Sequence, residues 1–185
     1  MKAKPVVPAL LQRDANGLPY SAAYGDVYHP HAGALVQARH VFIGGTGLAV
    51  RWRGRERFVV LETGFGLGNN FLATWQAWRD DAQRCDRLVF VSIERHPLRR
   101  ADLREAHQGS PLAGLADGLV AAWPPLTHNL HRLTFEGGRV ELLLAFGDVQ
   151  DWLPELRMSV DAFYLDGFAP ARNPAMWDRR VCHAL

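Results

Sequence analysis

An α/β fold, with a mostly parallel sheet and helices on both faces, is predicted by three features of this 185-residue sequence. Residues 58–61, 88–93, 140–146 and 161–165 are largely apolar runs of strand length, as expected of strands covered on both sides. The first two runs flank a stretch with helical spacing, which makes a β-α-β unit whose strands should be parallel neighbours. Each run also meets a carboxylate at or just past its end: Glu62, Glu94, Asp148 and Asp166.

Composition allows one domain with a sizeable core: 48% of residues are hydrophobic and 22% charged. The formal net charge of +2 is too small to indicate nucleic acid by itself. Lysine occurs only at Lys2 and Lys4; every other basic residue besides histidine is arginine. Cys85 and Cys182 form neither a disulfide framework nor a metal pattern, and read as free thiols of a cytoplasmic protein. The apolar patch at residues 6–11 is broken by Pro8 and is too short for a signal peptide or membrane span.

Residues 1–24 carry turn signals at Asp14-Ala15-Asn16-Gly17 and Leu18-Pro19, and read as an arm laid on the domain surface. His29 and His31 have no third ligand nearby, so they read as loop histidines and no metal is expected. Residues 41–43 and 48–52, joined by Gly44-Gly45-Thr46-Gly47, read as a β-hairpin. Arg51, Arg53, Arg55 and Arg57 alternate there, as on a solvated strand face. The expected division is therefore residues 1–57, arm and hairpin, and residues 58–185, a nucleotide-type domain.

In that second part, a helix follows the first strand, with Phe71, Trp75 and Trp78 on its apolar side. Residues 97–107 read as a helix with proline in its first turn, and residues 112–123 as another, stopped by Pro124-Pro125. Residues 130–146 form a hairpin about Glu136-Gly137-Gly138, whose second arm is the third main strand. A helical turn is expected at 151–156. After the fourth strand, Asn173-Pro174 should cap a helix running to the last residue.

The turn after the first strand reads Glu62-Thr63-Gly64-Phe65-Gly66-Leu67-Gly68-Asn69-Asn70. Alternate glycines permit close approach of a ligand, and the helix that follows aims its free N–H groups at it. A nicotinamide site would place a third glycine where Asn69 stands. Four carboxylates on one sheet edge disfavour a phosphate-rich ligand and suit a cationic one bearing ribose hydroxyls and other hydrogen-bond donors.

The glycine turn resembles the first motif of class I methyltransferases, a Rossmann-like fold that uses S-adenosylmethionine. Together with Ser92-Ile93-Glu94-Arg95-His96-Pro97-Leu98, Phe146-Gly147-Asp148 and Leu165-Asp166-Gly167-Phe168-Ala169-Pro170-Ala171-Arg172-Asn173-Pro174-Ala175-Met176-Trp177, it resembles the methyltransferase domain of the MnmC family of bifunctional tRNA-modifying proteins. The resemblance runs from about Gly17 to the last residue. It implies methyl transfer to the primary amine of 5-aminomethyl-2-thiouridine at the tRNA wobble position, giving 5-methylaminomethyl-2-thiouridine. It implies that Gly64, Gly66, Gly68 and Asn70, led by Glu62, hold the cofactor loop, with Glu94 on the ribose and Asp148 at the adenine. Asp166 would face the transferring methyl and the amine, and Phe168 and Tyr28 would flank the substrate uridine. FAD would enter only through a second, oxidoreductase domain of a parent protein.

Two rival readings make different predictions. An NAD-dependent oxidoreductase needs no acid at Glu62. A non-catalytic tRNA-binding module predicts no methyl transfer. A class I methyltransferase sheet has seven strands, whereas four main strands and a hairpin are legible. The last strands are therefore expected to be missing from this chain, leaving an apolar strand edge unpaired.

Overall fold

The computed structural model describes residues 5–29 and 33–185. A five-stranded sheet organises the chain, in the order β6-β7-β5-β4-β8. Its strands are β4 (Arg57–Thr63), β5 (Arg87–Glu94), β6 (Leu130–Phe135), β7 (Val140–Phe146) and β8 (Ala162–Leu165). All neighbours are parallel except β6, which runs antiparallel to β7. The register aligns the carboxyl ends: Thr63 lies opposite both Ile93 and Leu165, and Glu94 opposite Phe146.

Alternation along β4 sends its side chains to two cores. Phe58 and Val60 join Phe71, Trp75, Trp78, Phe90, Leu119 and Trp123 on one face. Val59 and Leu61 join Val91, Ile93, Val149, Leu153 and Val181 on the other. The first face is covered by α3 (Asn69–Asp80), α4 (Arg100–Ala106) and α5 (Ala113–Ala122), the second by α6 (Val149–Trp152) and α7 (Arg179–Ala184). Buried indoles of the first face are paired: Trp78 Nε1 donates to the Cys85 carbonyl and Trp123 Nε1 to that of Leu98, each at 2.9 Å. These bonds remove the desolvation cost of two polar groups in an apolar core.

Two expectations are corrected in the N-terminal third. The hairpin at 41–52 is helical: α1 (Ala34–Gln37) continues into a π-helical segment (Ala38–Gly44), and α2 (Leu48–Arg51) follows Gly47, at φ +60°. The buried residues are Ala38 and Phe42, then Leu48 and Trp52, while Val41 and Val50 are exposed. That is a period of four, which a strand cannot produce. The arginines of 51–57 are exposed as expected, but Arg51, Arg53 and Arg55 project from a helix end and the turn after it, and only Arg57 from a strand, at the start of β4. Two of them serve the fold: Arg55 pairs with Asp161 at 2.7 Å, and Arg51 donates to the Asp161 carbonyl. Phe42, Leu48 and Trp52 lie in the same core as the sheet.

The arm contains a small antiparallel sheet of β1 (Leu11–Arg13), β2 (Pro19–Ser21) and β3 (Asp26–Val27). Its first turn is the one expected, with Asp14 accepting from the N–H groups of Asn16 and Leu18. His31 lies outside the described residues.

Three helix boundaries differ from those expected. Pro97 precedes α4, which begins at Arg100. The turn expected at 151–156 begins instead at Val149, because Asp148 caps it by accepting from Gln150 N at 2.9 Å. The helix expected from Asn173 breaks in two. A 3-10 turn (Pro174–Trp177) ends at extended Asp178, which caps α7 by accepting from Arg180 N. Asn173 makes no capping bond and donates to Met176 Sδ instead. Strand β8 lies at the sheet edge with Phe163 and Leu165 exposed.

Candidate active site

The glycine turn leaves β4 at Thr63, and Gly64 N donates to the Ile93 carbonyl at 2.9 Å. Gly64 has φ +86°, and a Cβ there would lie 2.9 Å from the Asp166 carbonyl. Gly66 has φ +52°, and a Cβ there would touch the Tyr28 ring at 3.4 Å. Both positions favour glycine for conformation, and Gly64 needs it for space as well. Beside them opens a cavity of about 300 Å³, at the small end of the range for small-molecule sites. It lies at the carboxyl ends of β4, β5, β7 and β8, where the strand order turns back on itself, as in open α/β sheets generally.

Of the residues expected to form the site, Gly64, Gly66, Glu94, Asp148, Asp166, Phe168 and Tyr28 line this cavity. Glu62, Gly68 and Asn70 do not. Gly68 packs toward the Phe65 ring. Glu62 points into the α3 side of the sheet, since it alternates with the buried Phe58 and Val60. Asn70, in the first turn of α3, stands between Glu62 and Asp166.

The three lining carboxylates are held differently. Glu94 accepts from Gly66 N at 2.8 Å and from His96 N at 2.7 Å, one bond per oxygen. Each oxygen keeps a lone pair for a ligand hydroxyl. Asp148 caps α6 and faces Arg95 at 3.4 Å. Asp166 accepts from Gly167 N at 2.8 Å through Oδ1 and from Asn70 Nδ2 at 2.7 Å through Oδ2. Burial pushes the Asp166 carboxyl above its ordinary range and the nearby Glu94 adds to this, while its two hydrogen bonds oppose it.

Phe168 carries the aromatic wall. Tyr24 stacks on it at 4.5 Å between ring centroids, and Tyr28 meets its edge at 5.3 Å. Burial pushes the Tyr28 hydroxyl up to about 12, so it is a neutral donor. Residues 7–10 of the arm form part of the lining. They are tied down where Ala9 N donates to the Pro97 carbonyl and His96 Nδ1 donates to that of Val7. Tyr24, Met176 and this arm were not anticipated. Tyr24 and Tyr28 lie on either side of the two-residue strand β3, and Met176 reaches the cavity only through the break before α7, so no local pattern marks them. Trp177 donates to the Phe168 carbonyl at 3.0 Å and so braces that loop.

Glu62 is 1% exposed and accepts from Ser92 Oγ at 2.7 Å and Asn70 Nδ2 at 2.9 Å. Burial first, and Asp166 second, push its carboxyl well above the usual range. The folded chain therefore holds this proton more tightly than the unfolded chain. The stability tied to it is full below the ordinary carboxylate range and is lost as pH rises through the folded value. Glu62→Gln removes this dependence, since an amide can accept from Asn70 and donate to Ser92. Its melting temperature, relative to the parent chain, is expected to climb as pH rises above the ordinary carboxylate range toward the higher folded value. A gap that stays constant across this window would refute the assignment.

The donor set suits S-adenosylmethionine. The glycines leave room that a Cβ would fill, and the lining offers three carboxylates to a molecule with two cationic centres and a ribose. Arg95, the guanidinium in the lining, is already paired with Asp148. Among the described residues no cluster suits a metal ion, and no helix is long and apolar enough to cross a membrane.

This Rossmann-like sheet, with its glycine turn and its acid-lined carboxyl edge, resembles that of S-adenosylmethionine-dependent methyltransferases. A family model described as S-adenosyl-L-methionine-dependent methyltransferase matches residues 110–185. The chain is 65% identical over 185 residues to the tRNA 5-methylaminomethyl-2-thiouridine biosynthesis bifunctional protein MnmC of Methylibium petroleiphilum, a match covering all of this chain and 28% of that protein. It is 57% identical to the protein of the same name from Azoarcus sp., over 98% of this chain and 29% of that one. The crystal structure of MNMC2 from Aquifex aeolicus has the same fold, with a TM-score of 0.71 at 22% identity over 92% of this chain and 53% of that chain. The resemblance to the methyltransferase domain of the MnmC proteins thus holds along the whole chain, which spans just over a quarter of the length of these curated relatives.

Proposed function

We propose that this chain forms a tRNA methyltransferase site that transfers a methyl group from S-adenosylmethionine to the primary amine of 5-aminomethyl-2-thiouridine at the wobble position. The product is 5-methylaminomethyl-2-thiouridine. One observation carries this reading: Asp166, in a chain 65% identical to an MnmC protein, lies in the cavity wall two residues from the stacked ring of Phe168. S-adenosylmethionine supplies a methyl group on a sulfonium, which is already a good leaving group. Glu94 would hold its ribose and Asp148 its adenine. Phe168, with Tyr28 at its edge, offers a stacking surface for a uridine splayed from the single-stranded anticodon loop.

The chain's own chemistry is then mostly positioning, worth roughly 7–11 kcal/mol for well-oriented partners. The attacking amine must be neutral. Asp166 orients it by accepting its N–H bonds and stabilises the ammonium that develops. An ordinary carboxylate would be a weak base for this amine. Burial strengthens Asp166 as a proton acceptor, so it can take the surplus proton and release it to water. FAD enters only if a parent protein carries a second, oxidoreductase domain, which would first make the amine. The expected location is the cytoplasm, where tRNA is modified.

Two measurements test this. Calorimetric titration should show binding of S-adenosylmethionine and none of NAD. Isotope-labelled methyl transfer to tRNA carrying the aminomethyl nucleoside, read by nucleoside mass spectrometry, should yield the methylaminomethyl form. Binding of NAD instead, or transfer to tRNA lacking that amine, would overturn the reading.

A further inference from the structure

We infer that Asn70 is a positioning residue: its side-chain amide clamps the Asp166 carboxylate from behind and turns the remaining lone pairs of that carboxylate toward the cavity. The Asn70 amide nitrogen lies 2.7 Å from Asp166 Oδ2 and 2.9 Å from Glu62 Oε1. Both partners are acceptors, so only the NH2 end can serve them, and the orientation of the amide is fixed. Asn70 is 8% exposed and does not line the cavity, so it acts on a ligand only through Asp166.

The clamp is anchored at its far end. Glu62 is held by Ser92 Oγ at 2.7 Å, and Ser92 lies opposite Glu62 in the register of β4 and β5. One hydrogen-bonded chain therefore runs from Ser92 on β5 through Glu62 on β4 and Asn70 on α3 to Asp166 after β8. The titratable groups that face Asp166 from the surrounding elements are both acidic: Glu62, which favours its protonated form, and Glu94. The Asn70 amide and Gly167 N are the donors that hold the ionised carboxylate in place. This also accounts for asparagine, rather than an apolar residue, in the first turn of a helix whose other buried residues are mostly apolar.

The inference builds on the proposed role of Asp166, but one of its tests does not depend on activity. In protein labelled with ¹³C at aspartate side-chain carboxyls, Asn70→Ala should move the Asp166 titration midpoint to higher pH, because a donor to the ionised form is lost. An unmoved midpoint would overturn the clamp even if no methyl transfer is seen. In the transfer assay, Asn70→Ala should lower turnover by about 10- to 100-fold through misorientation, with cofactor affinity kept. Adding Asn70→Ala to Asp166→Asn should cost little more, since Asn70 acts through Asp166. Independent, multiplying losses would overturn the inference while leaving the methyltransferase reading intact. Asn70→Ser, too short to reach both carboxylates, repeats the tests should the alanine variant unfold.

Discussion

Asp166→Asn is expected to lower methyl transfer by about 10²–10⁴-fold, the usual worth of a positioned proton acceptor. Binding of S-adenosylmethionine should stay near that of the parent chain. The substitution keeps shape and removes charge and basicity. An amide at this position still accepts from Gly167 N, but it turns an NH2 group toward Asn70, where a carboxylate oxygen now accepts. That conflict can resolve, because Glu62 favours its protonated form. A protonated Glu62 can donate to a flipped Asn70, whose oxygen then accepts from the new amide. The fold should survive, and cooperative thermal unfolding checks that it does. In the parent chain, transfer requires ionised Asp166. Its rate should fall, as pH is lowered, at a pH above the ordinary carboxylate range. The variant should lack this acid limb. Turnover near that of the parent would remove Asp166 from the chemistry.

The parts of this site legible in the sequence are those set by local pattern. The runs at 58–61 and 88–93 are continuous because both faces of β4 and β5 are covered, and the alternate glycines of 64–68 mark a turn with a backbone that side chains rarely adopt. With parallel strands inferred, the placing of Glu94, Asp148 and Asp166 on one edge followed from chain order. What the sequence hid depends on direction and distance. Glu62 reads as an edge acid like the others, but the alternation of β4 turns it under α3. Asn70 reads as part of a cofactor loop, but one helical turn carries its amide to two carboxylates. Val41-Phe42-Ile43 reads as a strand because β-branched residues favour one. The deciding signal was the four-residue step from Ala38 to Phe42 and from Leu48 to Trp52. The strands of the arm have two or three residues, too few to show any period.

Glu94→Ala is expected to give the opposite signature: cofactor affinity falls by about 10- to 100-fold or more. Hydrogen bonds to charged groups contribute about 1.5–3 kcal/mol each, and about 1.4 kcal/mol is tenfold in affinity. The carboxylate has two tasks. It would accept the ribose hydroxyls, and it already holds the N–H groups of Gly66 and His96, which fix the glycine turn and the segment after β5. His96 in turn donates to the Val7 carbonyl, so the arm over the cavity depends on the same side chain. Removing it leaves two backbone donors without their acceptor and loosens both walls of the site. Glu94→Gln separates the tasks, because one amide oxygen can keep Gly66 N while charge and one acceptor are lost. Its affinity should fall between those of the parent chain and Glu94→Ala. Calorimetry measures both affinities, and turnover at saturating cofactor should recover far more in either Glu94 variant than in Asp166→Asn. Cofactor affinity of Glu94→Gln equal to that of the parent would mean that Glu94 only shapes the loop. The ribose contact would then have to come from another residue of the cavity wall.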